Sequence, residues 1–318
     1  MGFETIALFG ATGQVGRYIL HAILDCKKQS FHVVQIVSPS DKDAAYQASH
    51  TELKVLDLFA LEENELCAAL RGVDVVISAL NGQGLEAQPN IQDAAASAGV
   101  KRFYPSEYGM HHIYRKPGDS QGYIHPLWNV KDVFNEKALH HPAIKKGQMT
   151  YTLIGCGDFY DQEREKVWCP WTQTNVEKYT LHIVNRPDAE ADFTNLRDFG
   201  NFVVETLCAP ETSENATLNV VSDHISYNEI AALLGKYFQR PVERKVISEN
   251  EMHDFVANPS TIPRELSAES AFPADFWLLV KAFQGQGRFW RPRGQVHNHL
   301  FPGFETTTFE KYFQQRLK

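Results

Sequence analysis

Through the first half of the chain, short β-branched and aromatic runs alternate with stretches whose apolar residues recur every three or four positions. The runs Thr5–Phe9, His32–Val37, Leu53–Leu56, Val73–Ala79, Val100–Tyr104 and Thr150–Ile154 predict strands. Helices are predicted after the first run, near Leu61–Leu70, near Ile91–Ala98 and over about Leu127–His140. Strands alternating with helices imply a parallel sheet with right-handed crossovers. Val73–Ala79 is almost continuously apolar, as a strand covered on both faces should be. In the first helix Val15, Ile19, Ala22, Ile23 and Cys26 fall on one face.

Beyond Gly155 the texture changes to a Gly, aromatic and charged stretch, followed by strand-like Lys178–Val184 and Ala216–Val221 and helices Leu196–Cys208 and Ser226–Phe238. Ser226-x-x-Glu229 and Ser248-x-x-Glu251 have the form of capping boxes. The expected fold class is α/β: a Rossmann-type, doubly wound parallel sheet over residues 1–155, then a smaller α+β substrate lobe over 156–318. The boundary is expected to be interleaved, with later segments returning to the first domain.

Composition narrows the function classes. The formal charge of −8, from 31 basic and 39 acidic residues without a basic block, leaves no electrostatic footprint for nucleic acid. No apolar run approaches the ~20 residues that span a bilayer, and the N-terminus lacks the form of a signal peptide. A cytoplasmic protein, monomeric or homodimeric, is expected. Five scattered cysteines without a CxxC argue against a disulfide framework and a zinc site. The sequon at Asn215 is then without consequence.

Gly10-Ala-Thr-Gly13-Gln-Val-Gly16 closes the first predicted strand and opens the first helix. Glycines there permit a sharp turn and close approach of backbone to a pyrophosphate, which the helix N-terminus favours. Gly10, Thr12, Gly13, Gln14, Val15 and Gly16 are therefore candidate dinucleotide contacts. After the second strand, Ser38, Ser40 and Lys42 suit the 2′-phosphate of NADP(H), although Asp41 stands among them. Asp57 could meet adenine or cap the next helix. Asn81, at the carboxyl end of the fourth strand, sits at cofactor height.

Lys101-Arg-Phe-Tyr-Pro-Ser-Glu-Tyr-Gly109, together with the GATGQVG opening, resembles the NmrA-like and isoflavone reductase-like branch of the atypical short-chain dehydrogenases. Thr150–Gly155 and Phe193–Gly200 extend the resemblance, which weakens after Tyr237. It implies an NADPH-dependent reductase in which a lysine on the helix after the PSEYG segment gives or takes a proton. Lys131 matches that position, and helical geometry puts it near the line joining Leu127, Phe134 and Ala138. Lys137 lies about 120° around the helix and reads as a surface residue. Burial would lower the Lys131 pKa toward neutrality. By the same resemblance Ser106, Glu107 and Tyr108 line the nicotinamide end, and Glu107 and Tyr108 join Lys131 as candidate proton carriers if the cleft performs non-redox chemistry. The sequence departs from the family pattern at Ser38-Pro39, where an arginine is usual, at Asp132–Phe134, where paired arginines are common, and in the polar stretch His111–Gly122.

Phe159, Tyr160, Trp168, Trp171 and Trp277 are candidate walls for an aromatic or alkaloid-like substrate. Thirteen histidines, including His111-His112, His140-His141 and His297-x-His299, lack metal-ligand spacing, so no metal is expected. Asp198-Phe-Gly200 imitates a kinase motif without its companions, and no GxSxG elbow is present. Reduction of a small aromatic molecule is the leading expectation. Non-redox acid–base chemistry in a retained NADP(H) cleft, and dinucleotide sensing without turnover, are the alternatives.

Overall fold

The computed structural model describes residues 2–61, 63–110 and 125–317, so the polar stretch His111–Gly122 lies outside the described residues. The chain divides into two compact units: Met1–Gly155, Phe199–Val220 and His297–Phe304 form the first, and Cys156–Asp198, Val221–Val296 and Glu305–Lys318 the second.

In chain order the strands are β1 (Thr5–Phe9), β2 (His32–Val37), β3 (Thr51–Val55), β4 (Val75–Ser78), β5 (Arg102–Tyr104), β6 (Thr150–Cys156), β7 (Asp158–Phe159), β8 (Tyr179–Val184), β9 (Glu190–Thr194), β10 (Ala216–Val220), β11 (Asp223–Ser226) and β12 (Val242–Ile247). The helices are α1 (Gln14–Leu24), α2 (Glu63–Ala69), α3 (Gln88–Ser97), α4 (Pro126–Leu139), α5 (Pro142–Lys145), α6 (Leu196–Cys208), α7 (Tyr227–Phe238), α8 (Glu249–Ala257), α9 (Arg264–Ser267), α10 (Ala274–Gly285) and α11 (Phe309–Arg316).

The first unit carries a seven-stranded sheet of order β10-β6-β5-β4-β1-β2-β3, with β1 to β6 pairing in parallel. Register brings the strand ends level: Phe9 lies opposite Ile36 on one side and Ser78 on the other, and Tyr104 lies opposite Ile77. The loops after β1, β2, β4 and β5 therefore leave from one edge, where open α/β sheets bind ligands. Beneath that edge Ala7, Phe9, Val34, Ile36, Val76 and Phe103 pack with Leu66, Leu70, Ile91, Ala94 and Ala95. Burying each larger side chain stabilises by roughly 1.5–3 kcal/mol.

Helix α1 buries Gly16, Ile19, Leu20 and Ile23, while Val15, Ala22 and Cys26 are half-buried. The stripe is turned from the expected one because Gly16 must abut the preceding loop. Its missing Cβ would fall 2.0 Å from the Gly10 carbonyl oxygen.

The second unit is α+β, with a three-stranded sheet β11-β9-β7 and a two-stranded sheet β12-β8. Both capping boxes form, with Ser226 and Ser248 each accepting from the backbone N–H three residues on. β7, β9, β11 and β12 were not anticipated. β7, β9 and β11 are five residues or fewer, and β12 has no buried residue along Val242–Ile247, only half-buried and exposed ones.

A buried acid in this unit gives a pH expectation. Asp161 accepts from the Leu196 N–H and from Asn195 Nδ2, both at 2.9 Å. Burial nevertheless pushes its carboxyl up to about 7 from the ordinary 3.8. Folding thus favours the protonated form, so this stabilisation is complete below about pH 4 and lost as pH rises to about 7. Burial raises Asp192, Asp198 and Asp223 in the same sense. Denaturant melts of Asp161→Asn across this range should show a shallower fall in stability than wild type, by at most about 1.4 kcal/mol per pH unit. An unchanged slope would refute the assignment.

Candidate active site

The glycine loop leaves β1 at Gly10, whose φ of +74° is a left-handed conformation natural only to glycine. A Cβ at Gly10 would also stand 2.8 Å from the Ala79 carbonyl oxygen. Gly13 N–H donates to the Gly10 carbonyl at 3.0 Å and closes the turn. Gly13 then serves as N-cap of α1, with no side-chain cap and no acidic residue in the first turn. The positive end of the helix thus faces outward from a loop that adds no negative charge, an arrangement that fits a pyrophosphate. Thr12, Gln14 and Val15, all half-buried, flank this opening.

At the turn after β2, the Ser38 hydroxyl donates to Asp41 Oδ2 at 2.7 Å and lies 2.8 Å from the Ser40 hydroxyl, with Lys42 exposed beside them. The Asp41 carboxylate is the group here that opposes a 2′-phosphate. Replacing Asp41 with Asn should shift the NADPH-to-NADH affinity ratio toward NADPH by about tenfold, ~1.4 kcal/mol. Parallel titrations with the two nucleotides would show it, and an unchanged ratio would place the 2′-position elsewhere. Asp57 is exposed and its Oδ1 accepts the Phe59 N–H at 3.1 Å, so its carboxylate caps the turn after β3. Asn81 is exposed and extended, and starts the turn Gly82–Ala87.

The segment after β5 is tied down by a buried polar network. Ser106 donates its hydroxyl to the Leu80 carbonyl at 2.6 Å and its N–H to Gln88 Oε1 at 2.9 Å. Gln88 Nε2 in turn reaches Asn135 Oδ1 at 3.4 Å, and Asn135 Nδ2 donates to Glu107 Oε2 at 2.7 Å. Tyr108 is held at a left-handed φ of 48°, which costs a non-glycine residue about 1 kcal/mol or more. Its N–H donates to the Ile154 carbonyl at 3.1 Å, and its ring meets Phe199 edge-on at 4.9 Å.

Onto this segment α4 delivers Lys131. Its Nζ donates to the Glu107 carbonyl oxygen at 3.1 Å and lies 5.7 Å from the centre of the Tyr108 ring. The residue is 9% exposed. Lys131, Glu107 and Tyr108 are thus brought together at the sheet edge from which the glycine loop also leaves.

The face that carries Lys131 differs from the apolar stripe anticipated. α4 buries Trp128, Lys131, Asp132, Asn135 and Ala138, whereas Leu127 is exposed and Phe134 half-buried. The face is mostly polar because its partners, Glu107 and Gln88, are polar. Gln88 and Asn135 are the site residues that sequence reasoning missed, and the available signal was Asn135 one helical turn beyond Lys131. Lys137 is exposed, 5.6 Å from the Phe134 ring centre.

The five aromatic candidates lie in the second unit as packed interior. Tyr160 stacks on Phe309 at 4.3 Å and donates its hydroxyl to the Thr307 carbonyl at 2.6 Å. Trp171 Nε1 donates to the Tyr160 carbonyl at 2.7 Å, and Trp277 Nε1 to Glu165 Oε2 at 2.9 Å. Trp168 stacks with Trp277 at 6.1 Å, and Phe159 is buried on β7. This is core packing, with the polar atoms of Tyr160, Trp171 and Trp277 spent on protein partners. Among the described residues no group of three His, Cys, Asp or Glu could hold a metal, and His111-His112 lies outside them. No helix among them is long and apolar enough to cross a membrane.

A parallel sheet in this strand order, with a glycine turn feeding the first helix, defines a Rossmann-type α/β protein. The chain belongs to the NmrA-like family, whose profile matches residues 3–313. It is 26% identical over 314 residues to phenylcoumaran benzylic ether reductase PT1 of Pinus taeda, covering 96% of each chain. The crystal structure of an isoflavone reductase superposes with a TM-score of 0.73 at 22% identity, covering 99% of each chain. A complex of AtPrR2 with NADP+ and (+)pinoresinol superposes with a TM-score of 0.70 at 18% identity, again over 99% of each chain.

Proposed function

We propose that this chain is an NADPH-dependent reductase of a small aromatic or alkaloid-like molecule, with Lys131 as proton donor or acceptor. The carrying observation is the Lys131 ammonium, largely withdrawn from water and fixed 3.1 Å from the Glu107 carbonyl oxygen. A cation held there is poised to hand a proton to, or take one from, an oxygen of a substrate placed at the same edge. Gly10, Gly13 and Gly16 with the open end of α1 would hold the pyrophosphate, Ser38, Ser40 and Lys42 the 2′-phosphate, and Ser106 and Asn81 the nicotinamide side. Bound NADPH supplies the hydride.

The names of the relatives support the substrate class, since one is a phenylcoumaran benzylic ether reductase and another was captured with NADP+ and (+)pinoresinol. The buried network through Ser106, Gln88, Asn135 and Glu107 supports catalysis over sensing, because it fixes the Lys131 ammonium at one place rather than leaving it to snorkel. The test is to supply NADPH carrying deuterium at the nicotinamide C4 with a panel of aromatic enones, imines and benzylic ethers. Deuterium at a reduced carbon of one product is the expected result. Turnover of a panel member with no label and no NADPH consumed would instead establish non-redox acid–base chemistry.

A further inference from the structure

The first unit holds a thiol pair that the proposed chemistry does not use. Cys26 lies just beyond the C-terminal end of α1, and Cys208 is the last residue of α6. Their sulfurs are 3.7 Å apart, and both residues are half-buried rather than sealed in the core. The other three cysteines are placed differently: Cys156 and Cys169 are buried, and Cys67 lies on α2. Burial pushes the Cys169 thiol far above the ordinary range, which makes that sulfur inert.

Two further contacts hold the pair in register. Gly200 of α6 abuts the Tyr18 carbonyl of α1, where a Cβ would fall 2.5 Å from the oxygen, so the two helices approach closely. Beside the sulfurs, Lys28 and Glu205 form an ion pair between the same two segments. Closing a disulfide requires the sulfurs to move from 3.7 Å to about 2.05 Å, within reach of a side-chain rotation and a small shift of the terminal turn.

We propose that Cys26 and Cys208 form a reversible, intramolecular disulfide on exposure to hydrogen peroxide, stapling the end of α1 to the end of α6. One thiol takes an oxygen from the peroxide, releasing water and becoming a sulfenic acid. The second sulfur then displaces that oxygen as a second water, so that two thiols lose two electrons and two protons while one peroxide is reduced to two waters. Burial and the adjacent Cys26 sulfur raise the Cys208 thiol, and the same disulfide results whichever sulfur takes the oxygen and whichever resolves it. The bridge would join residues 182 positions apart in sequence, a long closure that restricts the unfolded chain while asking little of a folded pair already in contact. A dithiol reverses it by exchange.

The experiment treats the full-length folded chain with hydrogen peroxide, quenches it, and counts free thiols after denaturation. The count should fall from five to three. A tryptic map should recover one Cys26–Cys208 cross-linked peptide, and the thermal midpoint should rise and return to its starting value with dithiothreitol. Cys26→Ser and Cys208→Ser should each fold, form no internal cross-link and show no peroxide-dependent rise in midpoint. A wild-type count that stays at five, a cross-link joining two chains or using Cys67, or a midpoint lowered by oxidation would overturn the proposal.

Discussion

Replacing Lys131 with alanine is expected to lower kcat by about 10²–10⁴-fold, the usual share of a positioned proton carrier. The affinity for NADPH should change by less than about threefold, ~0.6 kcal/mol, because Lys131 donates to the Glu107 carbonyl oxygen and is not among the groups assigned to the pyrophosphate or 2′-phosphate. Lys131→Met separates charge from packing. It fills a similar volume beside Tyr108 and cannot move a proton, so it should be as inactive as the alanine variant while melting closer to wild type. Full activity in either variant would remove the lysine from the chemistry.

Gly13→Val should have the largest effect on binding, weakening NADPH by about 100-fold or more, ~2.7 kcal/mol. A branched side chain at the N-cap of α1 would stand before the open N–H groups that the anion needs. The fold should survive, since the Gly13 backbone is already extended and a Cβ there meets only the Gly10 carbonyl oxygen, at 3.2 Å. Gly16 provides the contrast. A Cβ at 2.0 Å from the same oxygen forces backbone apart, so Gly16→Val should lose binding by failing to fold. Comparing melts of the two variants distinguishes a blocked ligand from a broken turn.

The turn built by the glycine loop is legible in the sequence because its signal is local: a strand before it, a helix after it and glycines spaced for one turn. The burial of Lys131 is legible too, although the face of α4 that carries it differs from the one periodicity predicts. Periodicity reasoning treats polar residues as exposed, and so it draws the buried line of α4 through Leu127, Phe134 and Ala138, of which only Ala138 is buried. The residues actually buried beside Lys131 are Trp128, Asp132, Asn135 and Ala138. Asn135 is buried because Glu107 and Gln88 come to it from 28 and 47 positions away, a pairing that no local pattern encodes.

The second unit was harder to read for related reasons. α10 is buried nearly all round, down to Lys281, whose Nζ donates to Asp158 at 2.7 Å. A helix without a polar face has no amphipathic period to detect. β12 has the opposite problem: its Glu243, Arg244 and Lys245 give no strand signal, and it exists because β8 offers a parallel partner along its whole length. Tyr160, Trp168, Trp171 and Trp277 illustrate a third limit. A stripe of large aromatic residues has the same spacing whether it builds a core or lines a pocket, and only their hydrogen-bond partners tell which.

The most direct test of the central claim is a fluorescence titration of the full-length protein with NADPH and, separately, NADH. Saturable binding of NADPH, tighter than NADH and lost in Gly13→Val but kept in Lys131→Ala, is the predicted result. Failure of the wild-type protein to bind either nucleotide would contradict the account at its root.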